Sequence, residues 1–196
     1  QRMFWSLLEY EIGRARRHEY RFGLMVIDLD DFKRVNDRYG HGFGDDYLRR
    51  MADLLQNGLR DGDIVARYGG DEFVAILPDA DDRTAEQVGE RLLARVQETR
   101  IAAPDGEPLR LSLSIGLAVG PAEHGAAATG QALFSRADQA MYRAKVAGKN
   151  RLAVADRDEV TAAEPVDEVD GETVASLTPE AVSVVYQSIR EGNGTV

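Results

Sequence analysis

Residues 63–77, DIVARYGGDEFVAIL, set two runs of β-branched, aromatic and aliphatic residues on either side of a glycine pair, Gly69 and Gly70. Two such runs joined by glycines read as an antiparallel hairpin, because glycine reaches the positive φ of a tight turn without steric cost. The neighbouring runs supply this hairpin with partners. RFGLMVIDL (21–29) is an apolar stretch of strand length that ends near Asp28. LRLSLSIGLAVG (109–120) alternates, with Leu111, Leu113, Ile115, Leu117 and Val119 on one face and small residues on the other. NRLAV (150–154) makes a last short strand.

Helical spacing fills the intervals. Phe4, Leu8, Ile12 and Ala15 mark a helix from Phe4 to about Tyr20, and Leu48, Met51 and Leu55 mark one over 45–59. Val88, Leu92 and Val96 mark a third over 83–98, and 131–147 makes a fourth. The order α-β-α-β-β-α-β-α-β predicts an α+β domain, a mainly antiparallel sheet flanked by helices. No strand is followed by a glycine-rich phosphate loop opening a helix, so neither a dinucleotide-binding fold nor a Walker-type ATPase is indicated.

Composition narrows the function classes. The chain of 196 residues has no cysteine, so neither disulfides nor thiolate chemistry enter. Its three histidines, His18, His41 and His124, lack ligand spacing, which argues against zinc. No apolar run reaches the roughly 18–20 residues of a membrane helix, and no signal-peptide pattern stands at the start, so a cytoplasmic domain is expected. Of the net charge of −10, residues 151–196 carry −7, from three Arg against ten Asp and Glu. The remainder is near neutral, which speaks against a nucleic-acid-binding face but allows a nucleotide carried with a divalent metal. Residues 1–155 are read as the domain. The acidic stretch 156–174 is read as a mobile linker. Residues 175–196 are read as the start of a further segment, with Thr178 as a helix cap, Pro179 at the first helical position and Glu180 in the first turn.

The hairpin also carries chemistry. Strands disfavour acids, yet Asp71 and Glu72 follow the turn directly, and Asp28, with Asp30 and Asp31 close behind, ends the apolar strand. If the two strands lie side by side, Asp28 and Asp71 converge. Two converging carboxylates repel unless a cation joins them, and hard oxygen ligands suit magnesium, which favours a pair of carboxylates together with substrate phosphates. The bare backbone of Gly69 and Gly70 also lets a phosphate approach closely. The plainer alternative is two unrelated turn acids.

RYGGDEF, preceded by DLDDFKRVNDRYGHGFGD and followed by LSLSIGLA and ADQAMYRAKVAGKN, resembles the GGDEF family of diguanylate cyclases, in order from about Arg2 to Asn150. The resemblance implies a palm-like α+β fold of the nucleotidyl cyclase and polymerase type. It implies one GTP per subunit and a homodimer in which each 3′-hydroxyl attacks the other α-phosphate, giving cyclic di-GMP and two pyrophosphates. It implies magnesium or manganese held by Asp28, Asp71 and the Leu29 carbonyl. By the same resemblance Glu72 looks like the acid needed for turnover, as proton acceptor or second-metal ligand. Asn36 and Asp45 resemble the guanine readers; Asp45 also fits a helix cap before DYLRRM. Phe32, Lys33, Gly69 and Gly70 fall in the substrate-binding stretches, and Lys33, Lys145 and Lys149 resemble triphosphate contacts, with Lys149 standing where many members have Arg. For each lysine a solvated surface role is the alternative.

RDGD, Arg60–Asp63, stands at the offset of the family's inhibitory site for the product, with Arg91 where a supporting arginine is common. A local ion pair and a surface helix charge are the rival readings. SIG and YGHG are assigned to packing and turn geometry. The family opens with an Asp-x-Leu-Thr-Gly-Leu-x-Asn-Arg stretch, and Gln1–Arg2 stand at about its end, so a preceding loop and a regulatory sensor domain are expected outside this chain. Membrane attachment through such outside segments fits as well. VVYQSI near the other end resembles the opening of an EAL phosphodiesterase domain, and an amphipathic helix contacting the body is the plainer alternative. A non-catalytic module binding GTP or cyclic di-GMP is the alternative function, and degenerate signatures would favour it. A pure dimerisation domain is the third, tested by whether nucleotide moves the monomer–dimer balance.

Overall fold

The computed structural model describes residues 1–120 and 129–156. The expected linker at 156–174 and the segment 175–196 lie outside the described residues, apart from Asp156. Among the described residues eleven elements follow one another: α1 (Arg2–His18), β1 (Phe22–Leu29), α2 (Phe32–Gly58), β2 (Ile64–Gly69), β3 (Glu72–Leu77), α3 (Asp82–Glu98), β4 (Arg100–Ala102), β5 (Pro108–Arg110), β6 (Leu113–Gly120), α4 (Gly130–Val146) and β7 (Leu152–Val154). The main sheet has the order β2-β3-β1-β6-β7. Every neighbouring pair is antiparallel except β6 and β7, which run parallel. The mainly antiparallel α+β reading is therefore borne out.

The central strand β1 is apolar on both faces because helices cover both. Met25, Ile27 and Leu29 pack toward α2 and α3, beside Leu48, Met51, Leu55, Val88, Leu92 and Val96. Phe22, Leu24 and Val26 pack toward α1 and α4, beside Leu8, Ile12, Leu133 and Ala137. Each fully buried side chain of this size contributes roughly 1.5–3 kcal/mol over exposure. Period-two alternation then fixes the orientation of the last residues of the strand: Asp28 falls on the α4 side.

Small residues set how closely α4 lies on the sheet. A Cβ on Gly116 would stand 1.9 Å from the Ala137 carbonyl oxygen and 2.2 Å from the Met141 nitrogen. The small face of the alternating run is thus the seat of α4. The helix is capped at its start by Thr129, whose side chain accepts from Ala132 N–H, and by Glu9 of α1, which accepts from Gly130 N–H at 3.0 Å.

Two expectations need correction. The helix expected over 45–59 is present, but it starts earlier, just after a kink at Gly40 (φ 81°, ψ 164°), and a further helical stretch from Phe32 precedes that kink within α2. Asp45 therefore lies inside α2 and does not cap it. The run 109–120 is not one strand, because Pro108–Arg110 turns away to pair with Arg100–Ala102 as a separate two-stranded sheet.

Candidate active site

Strand register brings the first residues together. Asp28 lies opposite Glu72 on one side and opposite Ser114 on the other. Glu72 shares the parity of Val74 and Ile76, so it too faces α4. From α4, Lys145 reaches across to Asp28 at 2.7 Å. Asp71 sits in the turn after Gly70, whose φ is +51°, and its carbonyl accepts from Leu29 N–H at 3.2 Å. Leu29 itself is buried in the core and meets the turn through its backbone.

The electrostatics are those of crowded acids. Burial pushes the Asp28 carboxyl up; the Lys145 hydrogen bond and charge oppose that, while Asp71 and Asp30 add to it. Burial also raises Glu72, followed by repulsion from Asp28, Asp138 and Asp71, with Lys145 again opposing. One ammonium thus answers several carboxylates, an arrangement that favours a further cation.

The β1–α2 connection holds the other candidates. The Phe32 ring is buried and packs on Tyr47 at 5.7 Å between centroids. Lys33 is exposed in the first turn of α2. Asp31 stands at the N-cap position without making a side-chain cap; its carboxylate instead pairs with Lys149 at 2.7 Å. Asn36 Oδ1 is buried with no hydrogen-bond partner, an acceptor whose desolvation is uncompensated. Gly44 makes room for it, since a Cβ there would lie 1.8 Å from that oxygen. Asp45, the next residue along α2, is exposed.

Arg60, Asp63 and Arg91 gather at the far end of α2. Arg60 Nε donates to Asp63 Oδ1 at 3.2 Å, and its guanidinium also donates to the carbonyls of Pro78 and Asp79. Arg91 donates to the Gly58 carbonyl at 2.9 Å, closing the C-terminus of α2. The local ion pair expected of Arg-x-x-Asp is present, and Arg91 caps a helix rather than standing as a simple surface charge.

Sequence reasoning missed three features. Asp30 is buried and accepts from Ser112 Oγ at 2.5 Å, Ser114 Oγ at 2.7 Å and Asn150 N–H at 2.9 Å. Asp138 of α4 is half-buried; burial raises its carboxyl while Lys145 lowers it. Phe4 and Trp5 of α1 pack with Tyr68 and Phe134 at ring separations of 5.1–6.5 Å, directly before the glycine pair. The helical spacing of α1 carried a signal only for Phe4.

The family model described as diguanylate cyclase, GGDEF domain, matches residues 1–151. Diguanylate cyclase DgcP of Pseudomonas aeruginosa is 44% identical over 151 residues, 76% of this chain but 21% of that protein. The chain thus spans about a fifth of that relative. Among solved structures, the GGDEF domain of YfiN or TpbB from Pseudomonas aeruginosa is 35% identical with a TM-score of 0.73, covering 80% of this chain and 95% of that one. The GGDEF domain of DgcB from Caulobacter crescentus, solved in complex with c-di-GMP, is 28% identical with a TM-score of 0.71, covering 78% and 86%.

Proposed function

The chain belongs to the GGDEF family, and from that premise we propose that it condenses two GTP into cyclic di-GMP and two pyrophosphates across a homodimer. The observation that carries this reading is the opposed pair Asp28 and Glu72, set beneath the Gly69–Asp71 turn with Lys145 reaching in from α4. Each 3′-oxygen forms a bond to the other nucleotide's α-phosphorus as the α–β anhydride breaks and pyrophosphate leaves. Two sites must face each other for this, so pairing supplies the proximity.

The residues fit a divalent ion. Crowded carboxylate oxygens that repel one another until a cation joins them are the donor chemistry of magnesium or manganese. Among the described residues no group of three or more Asp, Glu or His side chains could hold a metal unaided. Asp28, Asp71 and the Leu29 carbonyl would hold it together with substrate phosphate. Such an ion activates the attacking oxygen and neutralises charge on the phosphate when bound.

This chain's own groups do the rest. The uncapped start of α2 offers backbone N–H groups to phosphate, and Lys33, Lys145 and Lys149 add point charges. Glu72 takes part in turnover as proton acceptor or as ligand. Asn36 and Asp45 read the guanine; an Asp carboxylate accepts from N1–H and the exocyclic amine, a pattern adenine lacks. Arg60, Asp63 and Arg91 receive the product and slow the enzyme, since the half-exposed Arg60 fork can turn to guanine O6 and N7. A sensor domain outside this chain would control the pairing.

The test is chromatographic detection of cyclic di-GMP from GTP with magnesium or manganese, at low and high protein concentration, beside Glu72→Ala and Arg60→Ala. Product that requires Glu72 and rises steeply with concentration supports a paired cyclase. Product inhibition unaltered in Arg60→Ala removes the inhibitory assignment. No product at any concentration turns the reading to a non-catalytic nucleotide-binding module.

A further inference from the structure

The chain leaves α4 through a turn that side chains disfavour. Gly148, Lys149 and Asn150 have φ of +116°, +61° and +51° in succession. Glycine takes such angles freely, whereas lysine there is strained and asparagine only tolerates it. Conformations of this kind persist where surrounding contacts impose them. At one end Lys149 N–H donates to the Ala144 carbonyl at 3.0 Å. At the other, Asn150 N–H donates to Asp30 Oδ2 at 2.9 Å, from 120 residues away in sequence.

Asp30 is itself fixed. It is 7% exposed, and the hydroxyls of Ser112 and Ser114 hold both of its oxygens. A buried carboxylate with three donors is a rigid anchor. It joins the end of β1, the start of β6 and the turn after α4, and that turn aims Lys149 at Asp31, beside the start of α2.

We propose that Asp30 is a positioning residue: it pins the left-handed turn at Gly148–Asn150 so that the Lys149 ammonium is presented over the N-terminus of α2, where the triphosphate is to bind. The phosphate half of this rests on the nucleotide reading above; the pinning of the turn does not. Asp30 touches no substrate and acts through Lys149.

Two measurements on the full chain test it. The first is hydrogen exchange without nucleotide. Asp30→Asn is expected to lose protection at the Asn150 amide while β1 and α4 keep theirs; unchanged protection at Asn150 overturns the pinning. The second is calorimetric titration with a non-hydrolysable GTP analogue and magnesium for the parent, Asp30→Asn, Lys149→Ala and the double variant. Asp30→Asn is expected to weaken binding about tenfold, the worth of one charge-assisted contact, and to cost little more once Lys149 is gone. Adding Asn150→Gly, which removes one disfavoured angle, is expected to restore part of the loss. Fully additive losses, with no rescue by glycine, overturn action through Lys149. A parent chain that does not bind the analogue, but whose Asn150 amide still depends on Asp30, removes the nucleotide reading and leaves the pinned turn standing.

Discussion

One methyl group at Gly116 is expected to lift α4 from the sheet. The Cβ of Gly116→Ala would sit 1.9 Å from a carbonyl oxygen and 2.2 Å from a backbone nitrogen, each more than about 1 Å inside ordinary contact. Neither atom can rotate aside, since both belong to the backbone of α4. The helix itself has to move. Overpacking usually costs 1–3 kcal/mol, and a backbone-on-backbone clash belongs at the top of that range, about 3 kcal/mol. For a domain of this size that is roughly 6–12 °C in Tm. Gly120→Ala is the control, because the atoms nearest its Cβ are the movable branches of Leu133 at 3.2 Å, and so it costs about 1 kcal/mol or less. Urea unfolding followed by circular dichroism measures both. Lys145 lies one turn beyond Met141, so folded Gly116→Ala is also expected to lose cyclic di-GMP synthesis more than it loses fold. If Gly116→Ala unfolds within about 0.5 kcal/mol of the parent, the close seating of α4 on β6 is wrong.

Burial and neighbouring acids raise Glu72 in the folded state, so the fold binds its proton more tightly than the unfolded chain does. That stability is complete below the ordinary value near 4.5 and is lost as pH rises through the folded value. Glu72→Gln is therefore expected to raise Tm at neutral pH, to gain nothing in acid, and to lose its advantage when magnesium is added to both proteins; a gain independent of pH would contradict the charge explanation. Gly44→Ala drives a Cβ into Asn36 Oδ1, and competition titration should find the preference for GTP over ATP reduced about tenfold, near 1.4 kcal/mol. Trp5→Ala opens the aromatic cluster around Tyr68 and is expected to cost about 2 kcal/mol in chemical denaturation, with GTP turnover falling because Tyr68 precedes the Gly69–Asp71 turn; unchanged turnover at full folding would free the turn from α1.

Much of this architecture was legible in the chain because its signals are local. The hairpin around Gly69–Gly70, the strand ending at Asp28 and the small face of β6 each show in a single stretch. The first half of α2 did not show, because Phe32 and Val35 are its only deeply buried residues before Gly40 and charges surround them. The strands β4 and β5 are three residues each, with mostly exposed side chains, too short for any periodicity. In the sequence Asp30 reads only as a neighbour of Asp28. Its role depends on Ser112, Ser114 and Asn150, which spacing along the chain cannot bring near. Motif resemblance points to Asn36, but its unpartnered acceptor and its dependence on Gly44 are matters of packing.

The irregularity between Arg67 and Gly69 in β2 has a consequence for how copies of this chain can meet. Among the described residues β2 and β7 are the two edges of the main sheet, and open edges invite backbone pairing with any other strand, the beginning of fibrils. One edge is interrupted by that shift in register beside the glycines, and the other is only three residues long. Neither offers a long flat template. If copies pair as proposed above, the described edges leave them to hold on through side chains and bound ligand, and an encounter made that way can be undone.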